Sequence, residues 1–151
     1  MLENDLSFFY AAVNRYRLAC RVQVDGRSFT PNECALVMVL MHLPEVDTSG
    51  AIARRLGTSP SLVSRSVDTL TGLGYLEVVT DPDDRRVHRL RLTDRSRELQ
   101  QVLEQMESRF REDLCRDIPE EELQVFRRVM HRMLINLREE TKNEEELKHG
   151  A

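Results

Sequence analysis

The chain has 151 residues, of which 40% are hydrophobic, enough for one ordinary domain to bury a core without disulfides or metals. Its formal net charge of −4 argues against a polyanionic partner only if the charge is spread evenly, and it is not. Basic and acidic residues number 4 and 6 over 1–49, 7 and 5 over 50–93, and 11 and 15 over 94–151, so the middle alone is positive.

The start of the chain lacks the basic, apolar pattern of a signal peptide. No apolar run reaches the ~18 residues of a membrane span. A cytoplasmic protein with no membrane partner is expected. Cys20, Cys34 and Cys115 are odd in number and widely spaced, which suggests neither a disulfide framework nor a metal or redox pair.

Leu2, Leu6, Phe9, Val13, Tyr16 and Cys20 recur at steps of three and four, predicting an amphipathic first helix. Asp25-Gly26 marks a turn. Thr30-Pro31-Asn32-Glu33 then supplies a capping hydroxyl, a Pro at N1 and a Glu at N3, the start of a second helix that is apolar on nearly every side and stops at Pro44. Thr48 or Ser49 caps a short third helix ending at Leu56-Gly57. Ser59-Pro60 opens a fourth, which closes near Gly72 or Leu73 with Gly74 as a left-handed cap.

From Tyr75 the period changes to two. Residues 75–80 and 87–92 read as strands joined by Asp81-Pro82-Asp83-Asp84, with Val87, Arg89 and Arg91 sharing one basic face. Thr93 caps a fifth helix to about Asp117, with Leu99, Val102, Leu103, Met106, Phe110 and Leu114 along its apolar side. Pro119 separates it from a sixth, roughly 120–140, striped by Leu123, Phe126, Val129, Met130, Met133, Leu134 and Leu137. The polar segment 141–151 is expected to fray.

On a helical wheel Val63, Val67 and Leu70 of the fourth helix share a narrow arc that must face the protein body. The outward arc carries Ser61, Arg65 and Asp68, flanked by Leu62, Ser64 and Thr69. Short hydroxyls and one long cation suit base-edge and phosphate contact in a major groove. Asp68 either holds the Arg65 guanidinium, accepts from a cytosine amino group, or is a solvated acid. Arg85 and Arg86, just past the hairpin tip, suit a narrow minor groove, and Asp84 can brace one of them.

Helix, turn, helix and basic hairpin in that order, with Ala53, Gly57 and Val63 at helix-turn-helix positions, resemble the MarR family. The similarity runs from Thr30-Pro31 through Leu56-Gly57-Thr58-Ser59-Pro60-Ser61-Leu62-Val63-Ser64-Arg65 to Gly74, then Asp81-Pro82-Asp83-Asp84-Arg85-Arg86 and Leu90-Arg91-Leu92-Thr93. The resemblance implies a mainly α (α+β) fold: a winged helix-turn-helix with a two-stranded wing over 30–93, and a helical dimerisation region over 1–29 and 94–140, in one compact protomer. It further implies a homodimeric repressor of transcription that binds double-stranded DNA at a pseudo-palindrome and is relieved by a small aromatic or phenolic effector.

Its DNA-binding set would be Ser59, Ser61, Leu62, Ser64, Arg65, Thr69, Asp84, Arg85 and Arg86, with Arg86 in the minor groove, Asp84 orienting it and Arg85 on phosphate. Ser96 stands where the family often has Gly, a departure expected to matter little. Tyr16, Met38 and Met41 are candidate effector contacts, although Met and aromatic residues at this spacing are more often core.

One rival is a hydroperoxide-sensing regulator using Cys20, which needs a lowered thiol pKa; the plainer reading is a small buried hydrophobe. Another is a winged-helix protein-interaction module without DNA binding. No catalytic motif, cofactor fingerprint or metal-ligand spacing is present in the sequence, so neither enzyme nor cofactor is expected.

Overall fold

The computed structural model describes residues 2–149, and the side chains of residues 7–137. It contains two compact units, Met1–Phe110 and Arg111–Ala151. In chain order the elements are α1 (Leu2–Ala19), β1 (Gln23–Val24), β2 (Arg27–Ser28), α2 (Pro31–His42), α3 (Ser49–Leu56), α4 (Pro60–Gly72), β3 (Leu76–Thr80), β4 (His88–Leu92), a 3-10 turn (Asp94–Ser96), α5 (Arg97–Leu114) and α6 (Glu120–His149). The fold is mainly α, with an antiparallel two-stranded wing formed by β3 and β4.

In the first unit α2 is central. Cys34, Leu36, Val37, Met38, Val39 and Leu40 are all buried, as expected of a helix with no polar side. Its start is a complete capping box. The Glu33 N–H donates to Thr30 Oγ1 at 3.3 Å, and the Thr30 N–H donates to Glu33 Oε2 at 2.8 Å. Glu33 itself is buried, and Arg27 satisfies its other oxygen at 3.0 Å. Around α2 gather Phe29, Ile52, Leu70, Leu99 and Leu103, all but fully enclosed, with Phe29 edge-on to Tyr75 at 5.2 Å.

Cys20 lies just past α1, whose last residue is Ala19, and is buried together with Cys34. Burial pushes their thiols up to about 11 and about 12 respectively, far from the range of a reactive thiolate. The α1 stripe divides. Phe9 and Tyr16 are part-buried while Val13 stays exposed; Leu2 and Leu6 lie outside the described side chains.

Several expectations change. The segment around Asp25-Gly26 is a small hairpin, not only a turn: both residues have positive φ (51° and 73°), the twist that suits two-residue hairpin loops. Tyr75 and Val87 fall just outside the wing strands. Thr93 does not cap α5 with its side chain. Its hydroxyl donates to the Gly74 carbonyl at 2.6 Å, and a 3-10 turn intervenes before Arg97. Ser96 has more to do than a neutral replacement: it is fully buried, donates to the Thr93 carbonyl at 2.6 Å and accepts from Gln100 at 2.6 Å.

α5 ends at Leu114, ahead of Asp117, which adopts a positive φ of 61°. In the second unit α6 runs to His149, beyond the expected end near 140. The physical reason is composition: from Thr141 to His149 there is no Gly or Pro, and Glu, Lys and Leu favour continuation. Gly150 and Ala151, the end of the expected tail, lie outside the described residues. Among the described residues no helix is long and apolar enough to cross a membrane.

Two outcomes are expected. Thr30→Ala removes half of the capping box and should lower stability by about 1 kcal/mol in urea denaturation. Alkylation of the native protein at mildly alkaline pH should label Cys115, the least buried thiol, first. Cys20 and Cys34 should react only under denaturing conditions, as read by peptide mass mapping.

Candidate nucleic-acid interface

The helix-turn-helix is built by local chemistry. Thr48 caps α3 by accepting the Ala51 N–H at 3.3 Å. Gly57, at φ 60°, ends that helix in the left-handed region that only Gly enters without strain. Two residues later Ser59 accepts the Leu62 N–H at 3.3 Å and Pro60 opens α4. The tight turn between α3 and α4 is thus set by three residues.

α4 divides as its periodicity predicts. Val63, Val67 and Leu70 are buried, joined by Ser66, whose hydroxyl donates to the Leu62 carbonyl at 3.1 Å. Ser61, Leu62, Ser64, Arg65, Asp68 and Thr69 are exposed. Ser59 and Ser61 are hydrogen-bonded through their hydroxyls at 3.1 Å, and Thr69 Oγ1 donates back to the Arg65 carbonyl at 2.8 Å. Asp68 does not hold Arg65: among the described residues neither has an ion-pair partner. The Arg65 guanidinium is free to meet a ligand.

In the wing, Leu76 pairs with Leu92, Val78 with Leu90 and Thr80 with His88. Asp81 organises the tip. One of its oxygens accepts the N–H groups of Asp83 (2.9 Å) and Asp84 (3.1 Å), while its own N–H donates to the Val87 carbonyl at 2.9 Å. Asp84 accepts the main-chain N–H of Arg86 at 3.0 Å, so the contact the structure shows is to the Arg86 backbone. The side chains of Arg85 and Arg86 are exposed and, among the described residues, without an ion-pair partner.

The expected basic face of β4 is interrupted. Arg89 Nη1 donates to both oxygens of Asp47 at 2.9 Å, and its Nε donates to Asp81 at 2.5 Å. The Arg89 guanidinium and the two backbone N–H groups hold the Asp81 carboxyl below its ordinary value. Arg91 remains exposed. Asp47 and Arg89 are 42 residues apart in sequence, and nothing in periodicity signals their meeting; the Asx turn of Asp81 was the one detectable part.

Of the candidate effector residues, Tyr16 and Met38 come together, the phenol oxygen lying 3.1 Å from the Met38 sulfur. The Tyr16 hydroxyl also donates to Glu107 Oε1 at 2.9 Å, and the ring packs edge-on against Phe110. Burial, reinforced by Glu107, pushes the Tyr16 phenol well above its ordinary value. Met41 is part-buried against the same core. Sequence reading missed Glu107 and His42, whose Nε2 lies 2.8 Å from Glu107 Oε2. Among the described residues no group of His, Cys, Asp and Glu is arranged to hold a metal.

Residues 27–87, the stretch from β2 to the end of the wing turn, match the model of the MarR family. No curated protein sequence matches the chain. Among solved structures, a MarR transcriptional regulator from Methanosarcina mazei Go1 is 17% identical with a TM-score of 0.73, over 89% of this chain and 96% of that one. A MarR/EmrR family regulator from Acinetobacter sp. ADP1 is 20% identical with a TM-score of 0.72, over 91% and 96%. Streptococcus pneumoniae FabT, solved in complex with DNA, is 18% identical with a TM-score of 0.69, over 92% and 99%. At such identities the likeness carries the fold, and the family model carries the sequence. Residues 27–87 therefore match the MarR family, a family of transcription regulators, within a chain whose fold is that of the solved MarR structures.

Proposed function

We infer that this chain is a DNA-binding transcription regulator which binds a pseudo-palindromic operator as a cytoplasmic homodimer. The observation that carries the reading is the placement of three arginines on the helix-turn-helix and its wing. Arg65 on the outer arc of α4 and Arg85 and Arg86 at the wing tip are exposed and, among the described residues, without an ion-pair partner. α4 enters a major groove, where Arg65 pairs with a guanine edge and Ser59, Ser61, Ser64 and Thr69 take phosphates or bases. Leu62, 39% exposed, meets a thymine methyl. Arg86 enters the minor groove and Arg85 contacts phosphate.

Residues 30–93 form the DNA-binding region in this reading, and residues 1–29 and 94–140 the dimerisation region. Its support is apolar surface that neither unit covers on its own. Phe8, Tyr10, Val13 and Leu18 are exposed on α1, as are Val125, Phe126, Val129, Met133 and Leu134 on α6. The two α4 helices of a dimer then sit about one DNA turn, roughly 34 Å, apart. Repression relieved by a small aromatic or phenolic effector at Tyr16, Met38 and Met41 completes the reading. A hydroperoxide sensor at Cys20 is disfavoured by the buried, protonated thiol, and a DNA-free interaction module by the exposed Arg65, Arg85 and Arg86 on the helix-turn-helix and its wing.

The test is binding to the DNA upstream of its own gene across a salt series. Affinity should fall steeply as salt rises. Arg65→Ala should cost about 1 to 3 kcal/mol and relax preference at one position per half-site, whereas Arg86→Ala should weaken binding to most sequences. Equal affinity of wild type and both variants refutes the assignment. Sedimentation equilibrium should give a dimer, and Phe126→Glu with Val129→Glu should shift it to monomer and reduce operator binding. A monomeric wild type would remove the dimer.

A further inference from the structure

Arg89 sits on a wing strand, where a cation would ordinarily be read as one more DNA contact, yet its fork is committed to two carboxylates of its own chain. Asp47, in the connection between α2 and α3, takes Nη1 on both oxygens at 2.9 Å. Asp81, at the start of the wing turn, takes Nε at 2.5 Å while its other oxygen holds the N–H groups of Asp83 and Asp84. One planar group with fixed donor directions thus joins the wing tip to the segment that leads into the helix-turn-helix. Alongside it, the Leu90 N–H donates to the Asp47 carbonyl at 2.7 Å, a main-chain tie between the same two elements.

A two-stranded hairpin is marginal by itself and needs anchorage to hold its tip in place. Asp47 and Asp81 are only 18% and 11% exposed at their side chains, so the join is shielded more than a surface ion pair, while Arg89 is 40% exposed. Two acids beside a polyanion repel it. Asp81 lies within the positive segment 50–93 and Asp47 just before it, and their presence there is explained by what they hold.

We propose that Arg89 is a positioning residue: with Asp47 and Asp81 it locks the wing onto the helix-turn-helix so that Arg85, Arg86 and Arg65 engage one duplex together. The role rests on the DNA-binding reading above and adds to it the group that sets the spacing between its two contacts.

The deciding variants are D47N, R89M, R86A and R86A/R89M in the full chain, measured on the duplex upstream of its own gene. If Arg89 were itself a phosphate contact, D47N would free it and remove a repelling charge, and binding would tighten. The positioning role requires the opposite: D47N and R89M each weaken binding, by about tenfold. R86A should then cost much less in the R89M background than in wild type, because the wing is already out of place.

Hydrogen exchange on the free protein separates this from general unfolding. In R89M the Asp83 and Asp84 amides should exchange faster while those of α2 keep their protection. R89K should not rescue, since an ammonium cannot span both acids as a fork does. Equal or tighter binding by D47N, additive effects of R86A and R89M, or unchanged exchange at Asp83 and Asp84 would each overturn the role. Failure of the wild type to bind any duplex at low salt would overturn the DNA-binding reading and this role with it. Wild-type binding with unimpaired variants would overturn the role alone.

Discussion

A helix with no polar side can exist only if other elements cover it completely, and α2 is such a helix. With Cys34, Leu36, Val37, Met38, Val39 and Leu40 all buried, it obliges α3, α4 and β4 to wrap it. Each buried aliphatic contributes on the order of 1.5–3 kcal/mol, so this enclosure outweighs any single polar contact in the unit. The polar groups that α2 drags inward are answered locally. Glu33 satisfies the Thr30 amide with one oxygen and Arg27 with the other, so its burial leaves no carboxylate oxygen without a donor.

That core decides where the exposed chemistry can be. Val63, Val67 and Leu70 must face it, which leaves the opposite arc of α4 outward. Leu76 and Leu90 anchor the base of the wing in the same core, leaving its tip to polar contacts. The tip is held by hydrogen bonds where the base is held by burial. Asp81 and Arg89 replace, at the far end of the hairpin, the packing that the near end already has.

Legibility in the sequence followed the range of the interaction. The Thr30 and Ser59 caps, the turn at Gly57 and the two arcs of α4 all involve residues within a few positions of each other, and each was readable from residue type and period; at the start of α3 residue type left Thr48 and Ser49 open, and the cap is Thr48. The short hairpin at Gln23–Ser28 was not, because two-residue strands carry no periodicity. Thr93 misled for a related reason: its hydroxyl reaches Gly74, 19 residues away, in place of the helix it precedes. The ties of Arg89 to Asp47 and of Glu107 to Tyr16 and His42 join residues 42, 91 and 65 positions apart. Only the fold creates them.

The outer arc of α4 has a consequence for how such a protein changes over generations. Ser61, Leu62, Ser64 and Arg65 project away from the core, and surface substitutions away from caps and packed sites usually alter stability by no more than about 0.5 kcal/mol. The residues that would choose a DNA sequence are therefore nearly independent of those that keep the domain folded. A lineage, or an engineer, can rewrite that arc in small steps without first compensating the core, so new target sequences are accessible by single mutations from a scaffold that stays intact.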